Sequence, residues 1–90
     1  MNKVQIFFIY AEECQDCDDA KRAIGAAIQE TDVNCEVKMF NCEERVAINI
    51  AIKNDISDLP ACIIGNGIAV FQGKNFSKDD IIKALQQAAS

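Results

Sequence analysis

The hydrophobic and polar positions of the chain divide it into seven segments, each with the period of a strand or a helix. Apolar residues run almost without interruption through positions 4–10 ("VQIFFIY") and 61–65 ("ACIIG"). Continuous runs of this kind, rich in Ile and Phe, are typical of strands that are buried on both faces. Both segments are therefore predicted to be central strands of a sheet.

Two further segments have the pattern of strands that are less deeply buried. Residues 35–40 ("CEVKMF") alternate, with the apolar Val37 and Met39 on one face and charged residues on the other. This alternation predicts an edge strand with one face buried and one face in water. Residues 68–73 ("IAVFQG") follow a Gly-Asn-Gly turn, which favours an antiparallel hairpin with the second central strand.

The remaining three segments are assigned as helices. Apolar residues recur at helical spacing from Cys17 to about Glu30, after acids that the positive end of the helix dipole would favour: Asp16, Asp18 and Asp19. The last segment opens with Ser77 as an N-cap candidate and Asp80 three residues later. The stretch "ERVAINIAIKND" alternates like a strand, but a parallel neighbour for the first strand requires a crossover, so we assign a helix.

Length, charge and cysteine content narrow the classes of protein that fit. Ninety residues suit a single domain, residues 1–90. The net charge of -5 argues against nucleic acid or an anionic membrane as a partner, because either requires a basic surface. The first apolar run is too short to span a bilayer and is followed by no signal-peptide cleavage pattern. Five cysteines, an odd number, suit a reducing compartment, so we expect a cytoplasmic protein. We also expect a monomer.

The candidate chemistry lies in "AEECQDCDDAK", where Cys14 and Cys17 form a C-x-x-C pair at the junction of the first strand and first helix. Such a pair can be a redox dithiol, half of a metal site, or two residues of the core. A junction rich in Glu and Asp is a poor place to bury a side chain, which favours a functional pair.

With Pro60 directly before the third strand, the chain resembles the thioredoxin fold in the short version that glutaredoxins share. Three stretches carry the resemblance: "FFIYAEECQDC", "ISDLPACIIG" and "VFQGKNFSKDDIIKAL". It implies an α/β fold in the order β-α-β-α-β-β-α, with a four-stranded mixed sheet flanked by three helices. It also implies a cis peptide bond before Pro60 and pairing of the Leu59 backbone with a substrate chain.

The implied activity is thiol–disulfide exchange without a cofactor. A helix start stabilises a thiolate, so Cys14 fits the nucleophile, and Cys17, one turn further on, fits the resolving thiol. The expected partners are proteins that contain disulfides and an unidentified reductase. Use of glutathione has less support, because glutaredoxins have Thr-Val-Pro where this chain has Asp58-Leu59-Pro60, and their Gly-Gly-x-Asp segment has no counterpart.

The chain departs from the family pattern around the cysteines. In place of the Trp, Gly-Pro and Lys of typical thioredoxins it has Glu13, Gln15, Asp16 and Asp18. Phe8 stands where they have a buried acid that accepts the proton of the resolving thiol. Each nearby acid opposes the Cys14 thiolate by about 0.5 kcal/mol in water. A poorly stabilised thiolate favours the disulfide form of the protein. These residues are therefore predicted to make the protein a reductant.

Three cysteines and two rival functions remain. Cys62 lies in an apolar strand and is predicted to be a core residue. Cys35 and Cys42 flank the edge strand, about 23 Å apart if extended, and cannot bridge each other. Cys42 is a third redox thiol, a metal ligand or an incidental cysteine. The rivals are a metal or iron–sulfur module using Cys14, Cys17 and Cys42, although the chain has no His, and a redox-silent interaction module.

Overall fold

The computed structural model describes residues 3–74 and 76–89. Its elements follow the predicted order β-α-β-α-β-β-α. They are β1 (Val4–Tyr10), α1 (Gln15–Glu30), β2 (Cys35–Asn41), α2 (Arg45–Lys53), β3 (Ala61–Ile64), β4 (Ala69–Gln72) and α3 (Lys78–Ala89). The ambiguous stretch is thus a helix, as the crossover argument required, and the predicted N-cap Ser77 directly precedes α3.

The four strands form an open mixed sheet in the order β2-β1-β3-β4. β1 and β2 are parallel, whereas β3 is antiparallel to β1 and β4 is antiparallel to β3. The predicted hairpin is therefore present, and its turn has three successive residues with positive φ, from Gly65 to Gly67. Glycine adopts this conformation without the steric cost that other residues incur. The architecture is the predicted thioredoxin fold.

The core has two layers, one on each face of the sheet. On one face, α1 and α3 cover alternate residues of the central strands, with Ile6, Phe8 and Cys62 almost fully buried. On the other face, α2 places Ala47 against Ile9 and Ile63. Residues that alternate between these layers are apolar on both sides, which accounts for the continuous hydrophobic runs of β1 and β3.

The burial of helix α2 explains why its sequence has the alternating pattern of a strand. The helix buries Ala47 against the sheet but leaves Val46, Ile48 and Ile52 exposed, at 51%, 47% and 72% of their surface. The alternation therefore comes from apolar residues outside the buried face of the helix and not from a strand period. These exposed side chains leave an apolar surface on the α2 side of the molecule.

β2 is the edge strand that the alternation predicted, but the face that was expected to be buried is only partly covered. Val37 and Met39 do point to the same side as Ile6 and Phe8, with which they are in register. They nevertheless remain 39% and 42% exposed, because an open groove of about 210 Å³ separates β2 from α1. Gly25 of α1 lines this groove and contributes no side chain to fill it.

No helix within residues 3–74 and 76–89 has the length and apolar character needed to cross a membrane.

Candidate functional site: a cysteine pair and a cis-proline at one end of the sheet

The topology of the sheet brings three chain segments together. β1 and β2 are parallel and end at the same side, while β3 begins there with Ala61 opposite Ile9. The segment after β1 contains Cys14 and Cys17, the segment after β2 begins with Cys42, and the segment before β3 ends with Pro60. We refer to this side as the dithiol end of the sheet.

Cys14 and Cys17 are joined by a disulfide, with their Cα atoms 5.2 Å apart. Helix α1 begins at Gln15, two residues earlier than predicted, which makes Cys14 the N-cap residue. Its Sγ accepts a hydrogen bond from the backbone N–H of Cys17 at 3.1 Å. That N–H belongs to the first turn, whose donors have no partner within the helix, so it would stabilise negative charge on this sulfur.

The two sulfurs differ in accessibility. Cys14 is half-buried, whereas Cys17 is 4% exposed and lies within the core layer of α1. The Cys17 Sγ accepts a longer hydrogen bond, 3.5 Å, from the backbone N–H of Ala11. An external disulfide can therefore approach Cys14 more readily than Cys17.

Asp19, an acid at the helix start, differs from the acids that were predicted to tune the pair. Asp19 forms an ion pair with Arg22 and also accepts a hydrogen bond from the Gln15 side chain at 3.2 Å. By contrast, Glu13, Asp16 and Asp18 form no ion pair with any residue of 3–74 or 76–89. None of these three charges is therefore neutralised by a direct ion pair. Glu13 also has a φ of 51°, which is uncommon for a residue other than glycine.

The surroundings of Cys17 lack a buried acid from β1, as the sequence indicated. Phe8 is buried and stacks on Tyr10, with ring centroids 6.3 Å apart, so the strand offers no acid there. A cleft of about 210 Å³ nevertheless reaches Cys17, and its charged residues, Asp18 and Lys21, come from α1. The sequence alone did not single out Lys21 as a residue near Cys17. The signal for its position was its spacing of four from Cys17, which places both on one helix face.

The Leu59–Pro60 peptide bond is cis, which confirms what the resemblance implied. Pro60 is buried and its carbonyl accepts a hydrogen bond from the Gly73 N–H at 2.9 Å. The preceding loop is held by Gln72, whose side-chain oxygen accepts from the N–H groups of Ser57 and Asp58 at 2.9 and 3.1 Å. The loop that carries Leu59 is thus hydrogen-bonded to the last residue of β4, Gln72, and to the residue after it, Gly73.

Sequence reasoning did not find the hydrogen bond between Asp58 and Leu59. The Leu59 N–H donates to Asp58 Oδ1 at 2.9 Å. Asp side chains bond readily to nearby backbone groups, so the residue type was the available signal. The N–H of the Leu59 backbone, which the resemblance implies would pair with a substrate chain, is thus already bonded within the protein.

An apolar groove of about 540 Å³ lies beside Leu59, on the α2 face of the sheet. Its floor includes Ile9 and Ala47, and the half-buried Cys42 lines it. Cys42 therefore lies at the dithiol end, as its place at the end of a parallel strand indicated, but on the face that α2 covers.

The other free cysteines are Cys62, which is buried, and Cys35, which is half-buried like Cys42. Cys62 is fully buried, as predicted, and burial raises the pKa of its thiol from 9.0 to about 12. Burial also raises the pKa of Cys35, whose thiol donates to the Val33 carbonyl at 3.4 Å. Across the described residues, no three His, Cys, Asp or Glu side chains are placed to hold a metal ion together. The cysteine pair and Cys42 do not form such a group.

Comparison with known proteins shows the fold. No protein-family model matches the chain, and no curated protein matches its sequence. Among solved structures, a thioredoxin-like protein from Clostridium perfringens aligns with a TM-score of 0.75 and 22% identity, over 96% of this chain and 71% of that chain. The thioredoxin pre-protein of Schistosoma mansoni in its reduced form aligns with a TM-score of 0.66 and 24% identity, over 93% and 80%.

A mutant thioredoxin from Halobacterium salinarum aligns with a TM-score of 0.73 and 17% identity, over 99% of this chain and 77% of that chain. All three alignments cover nearly the whole of this chain, from the first strand to the last helix. At these identities the likeness establishes the thioredoxin fold, and the chemistry has to be argued from the site itself.

Proposed function

We propose that this protein is a thiol–disulfide oxidoreductase that reduces protein disulfides through Cys14 and Cys17. The observation that carries the proposal is the asymmetry of the pair. Cys14 is accessible and its sulfur accepts an N–H from the first turn of α1, whereas Cys17 is bonded to it from the buried side. In this arrangement the Cys14 sulfur attacks the substrate, and the Cys17 sulfur resolves the mixed disulfide afterwards.

Reduction of a substrate takes two exchange steps. In the reduced protein, the Cys14 thiolate attacks one sulfur of the substrate disulfide; that S–S bond breaks, and the departing thiolate takes a proton from solvent. The product is a mixed disulfide between Cys14 and the substrate. Cys17 then loses its proton and attacks the Cys14 sulfur, which releases the second substrate thiolate and leaves the Cys14–Cys17 disulfide seen here.

The substrate has gained two electrons and two protons; the protein has lost both electrons and the Cys17 proton, and solvent has supplied the other proton. A reductant that delivers the same number, either a dithiol or a reductase protein, is needed to restore the pair. We place this cycle in the cytoplasm, where thiols are kept reduced, and assign it to a monomer.

The segment that contains the cis-proline is the proposed binding site for the substrate chain. Pro60 has no N–H, so it cannot compete for hydrogen bonds at the dithiol end, and the Leu59 backbone beside it can pair with an extended segment. The loop is fastened to β4 by Gln72, which fixes the position of this backbone relative to the sheet.

The charges around the pair determine the direction of exchange. The N–H bonded to Cys14 favours its thiolate, but Glu13, Asp16 and Asp18 form no ion pair within the described residues and oppose it. An exposed helix terminus contributes about 0.3–1 kcal/mol, which a few acids at about 0.5 kcal/mol each offset. The reduced form is then less favoured, and the protein acts as a reductant.

A stoichiometric transfer experiment tests the proposal. Reduced protein is separated from the small-molecule reductant and then mixed with an equimolar amount of a protein that has a single surface disulfide. We expect one substrate disulfide to be lost for each Cys14–Cys17 bond formed, as counted by alkylation and mass spectrometry. If the substrate stays oxidised while the pair stays reduced, the redox-silent alternative is correct and the proposal fails.

A further inference from the structure

The negative charge of the molecule is concentrated at the dithiol end. Three segments build this end, residues 11–22, 41–45 and 56–60, and together they have eight acids and three basic residues, a net charge of -5. The rest of the chain has six of each and is neutral. Lys74 follows Gly73, which is bonded to Pro60, so counting it here still leaves a net charge of -4.

The groove beside Leu59 presents apolar surface at the same end. Its volume of about 540 Å³ has room for a large side chain, and Ile48 and Ile52 on its rim are 47% and 72% exposed. Exposed Ile side chains at the edge of an apolar groove are typical of a surface that contacts a partner.

Asp58 joins these two features. It lines the groove, and its Oδ1 is held by the Leu59 N–H at 2.9 Å. Its Oδ2 occupies the space over Gly73, 2.7 Å from the position of a Cβ there. Asp58 forms no ion pair within the described parts of the chain, so a fixed negative charge stands beside the proposed substrate backbone without a counterion.

We infer that the substrates are disulfide proteins with a basic residue next to an apolar one near the reactive cysteine. The apolar side chain enters the groove beside Leu59, and the Lys or Arg pairs with Asp58. This inference rests on the proposed function, because it names the substrate class of the same site. Charge complementarity selects the occupant, since an acidic segment would meet only like charge at this end.

The hydrogen bond between Asp58 and Leu59 gives the preference a mechanism. A substrate carbonyl that takes the Leu59 N–H must displace Asp58 Oδ1 from it. A basic side chain provides the displaced carboxylate with a new partner, whereas a neutral segment leaves it exposed to solvent alone. Every substrate has to break the hydrogen bond between Leu59 and Asp58, but a basic substrate replaces it with an ion pair to Asp58.

The test uses three disulfide-linked peptides that differ at one position, Lys, Gln or Glu, beside a Leu near the cysteine. For the wild-type protein we expect kcat/KM to decrease in that order, with about a tenfold ratio between the Lys and Glu peptides at low salt. The ratio should shrink as salt is added. Asp58→Asn should reduce it to about threefold, while Asp80→Asn, the same charge change on α3, should leave it unchanged.

A second arm tests the groove. Ile48→Ser should lower kcat/KM for the Leu peptide several-fold and have no effect on a peptide with Ser in place of Leu. Ile68→Ser is the matched control, because Ile68 is also half-exposed but lines a pocket with Val4 and Ala88 instead of Leu59.

Hydroxyethyl disulfide, a neutral substrate without side chains, separates the two proposals. If the wild-type protein reduces it but treats the three peptides alike, or if Asp58→Asn behaves like Asp80→Asn, the substrate inference is wrong and the proposed function stands. If the protein reduces neither this compound nor any peptide, the proposed function fails and the inference fails with it.

Discussion

Cys14 at the start of α1 and Cys62 in the middle of β3 show what the position of a cysteine in the same fold does to its chemistry. Cys14 lies where a strand has ended and a helix begins, so a backbone N–H is free to bond its sulfur. Cys62 lies in a central strand, fully buried, and burial raises its pKa to about 12. The free N–H groups and the access to solvent occur at the end of the sheet and not within it.

The comparison explains why only some of the five cysteines are candidates for chemistry. A thiol becomes a nucleophile as its thiolate, so it needs donors or positive charge and a route for the partner. The dithiol end provides a donor and a route, although its acids oppose the charge. The interior of the sheet provides neither, and its low polarity makes Cys62 a small apolar residue of the core.

The largest effect should come from exchanging Cys14 for serine. Cys14→Ser removes the attacking sulfur and should abolish disulfide reduction, with a loss of at least about a thousandfold. Cys62→Ala should keep nearly all of the activity, because the groups at the dithiol end are unchanged. Turnover of a protein disulfide with a dithiol reductant measures both, and substantial activity without Cys14 would refute its role.

A nearly equal effect should appear in the reactivity of Cys62. With a pKa of about 12 against the ordinary 9.0, its thiolate at pH 8 is about a thousandfold scarcer than that of an unperturbed cysteine. We expect alkylation of the folded protein to modify the half-buried Cys42 long before Cys62. Mass spectrometry of timed samples measures this order, and rapid labelling of Cys62 would contradict the buried position.

The same pKa predicts a pH dependence of stability. Since Cys62 ionises near pH 9 when unfolded and near 12 when folded, its contribution is complete below pH 9 and is lost as the pH rises. The decrease should be about 1.4 kcal/mol per pH unit between 9 and 12. Denaturant unfolding of the wild type and of Cys62→Ala isolates it, because the variant lacks this group but keeps every other titrating residue.

A smaller effect is expected from the acids beside Cys14. Changing Glu13, Asp16 and Asp18 together to Gln, Asn and Asn should let the Cys14 thiolate form at lower pH and should raise the reduction potential. The reason is that the reduced form gains more from the loss of negative charge than the disulfide does. Thiolate absorbance and glutathione redox equilibria measure both quantities, and the shift should shrink with salt.

Asp19→Asn is the matched control for that triple variant. Asp19 is on the same turn but is already paired with Arg22, so its neutralisation should change the potential less than the triple variant does. An unchanged or opposite shift in the triple variant would mean that the acids stabilise only the helix or face a partner.

The smallest effect is expected at Lys21, the cation that lines the cleft at Cys17. Lys21→Gln should slow closure of the Cys14–Cys17 bond by a few-fold, because a nearby ammonium favours the Cys17 thiolate by a fraction of a kcal/mol. Release of substrate from the mixed disulfide in single-turnover experiments measures this step. Arg22→Gln is the control, since that side chain is paired with Asp19.

The fold and the cysteine pair could be predicted from the sequence because their signals are local. Each of these signals can be recognised within one segment of the chain. They are the continuous apolar runs of β1 and β3, the C-x-x-C at the end of a strand, and Pro60 directly before a strand. The helix assignment of α2 needed a rule about the whole sheet, because Ile48 and Ile52 on its exposed side concealed the helical period.

What escaped prediction depends on elements that meet only in the folded chain. Val37 and Met39 alternate correctly, yet whether α1 would extend over β2 cannot be read from the strand. The groove beside Leu59 is formed by β1, α2 and the cis-proline loop together. The Asp58–Leu59 hydrogen bond depends on a side-chain rotamer that Gly73 leaves room for.

Trapping of the mixed disulfide tests the central claim most directly. Cys17→Ser keeps the accessible sulfur but cannot complete the second exchange, so the reduced variant should form a stable adduct with a protein disulfide. We expect one substrate per molecule, linked to Cys14 by peptide mapping and released by dithiothreitol. No adduct, or an adduct linked to Cys42 instead, would contradict the assignment of Cys14 as the nucleophile.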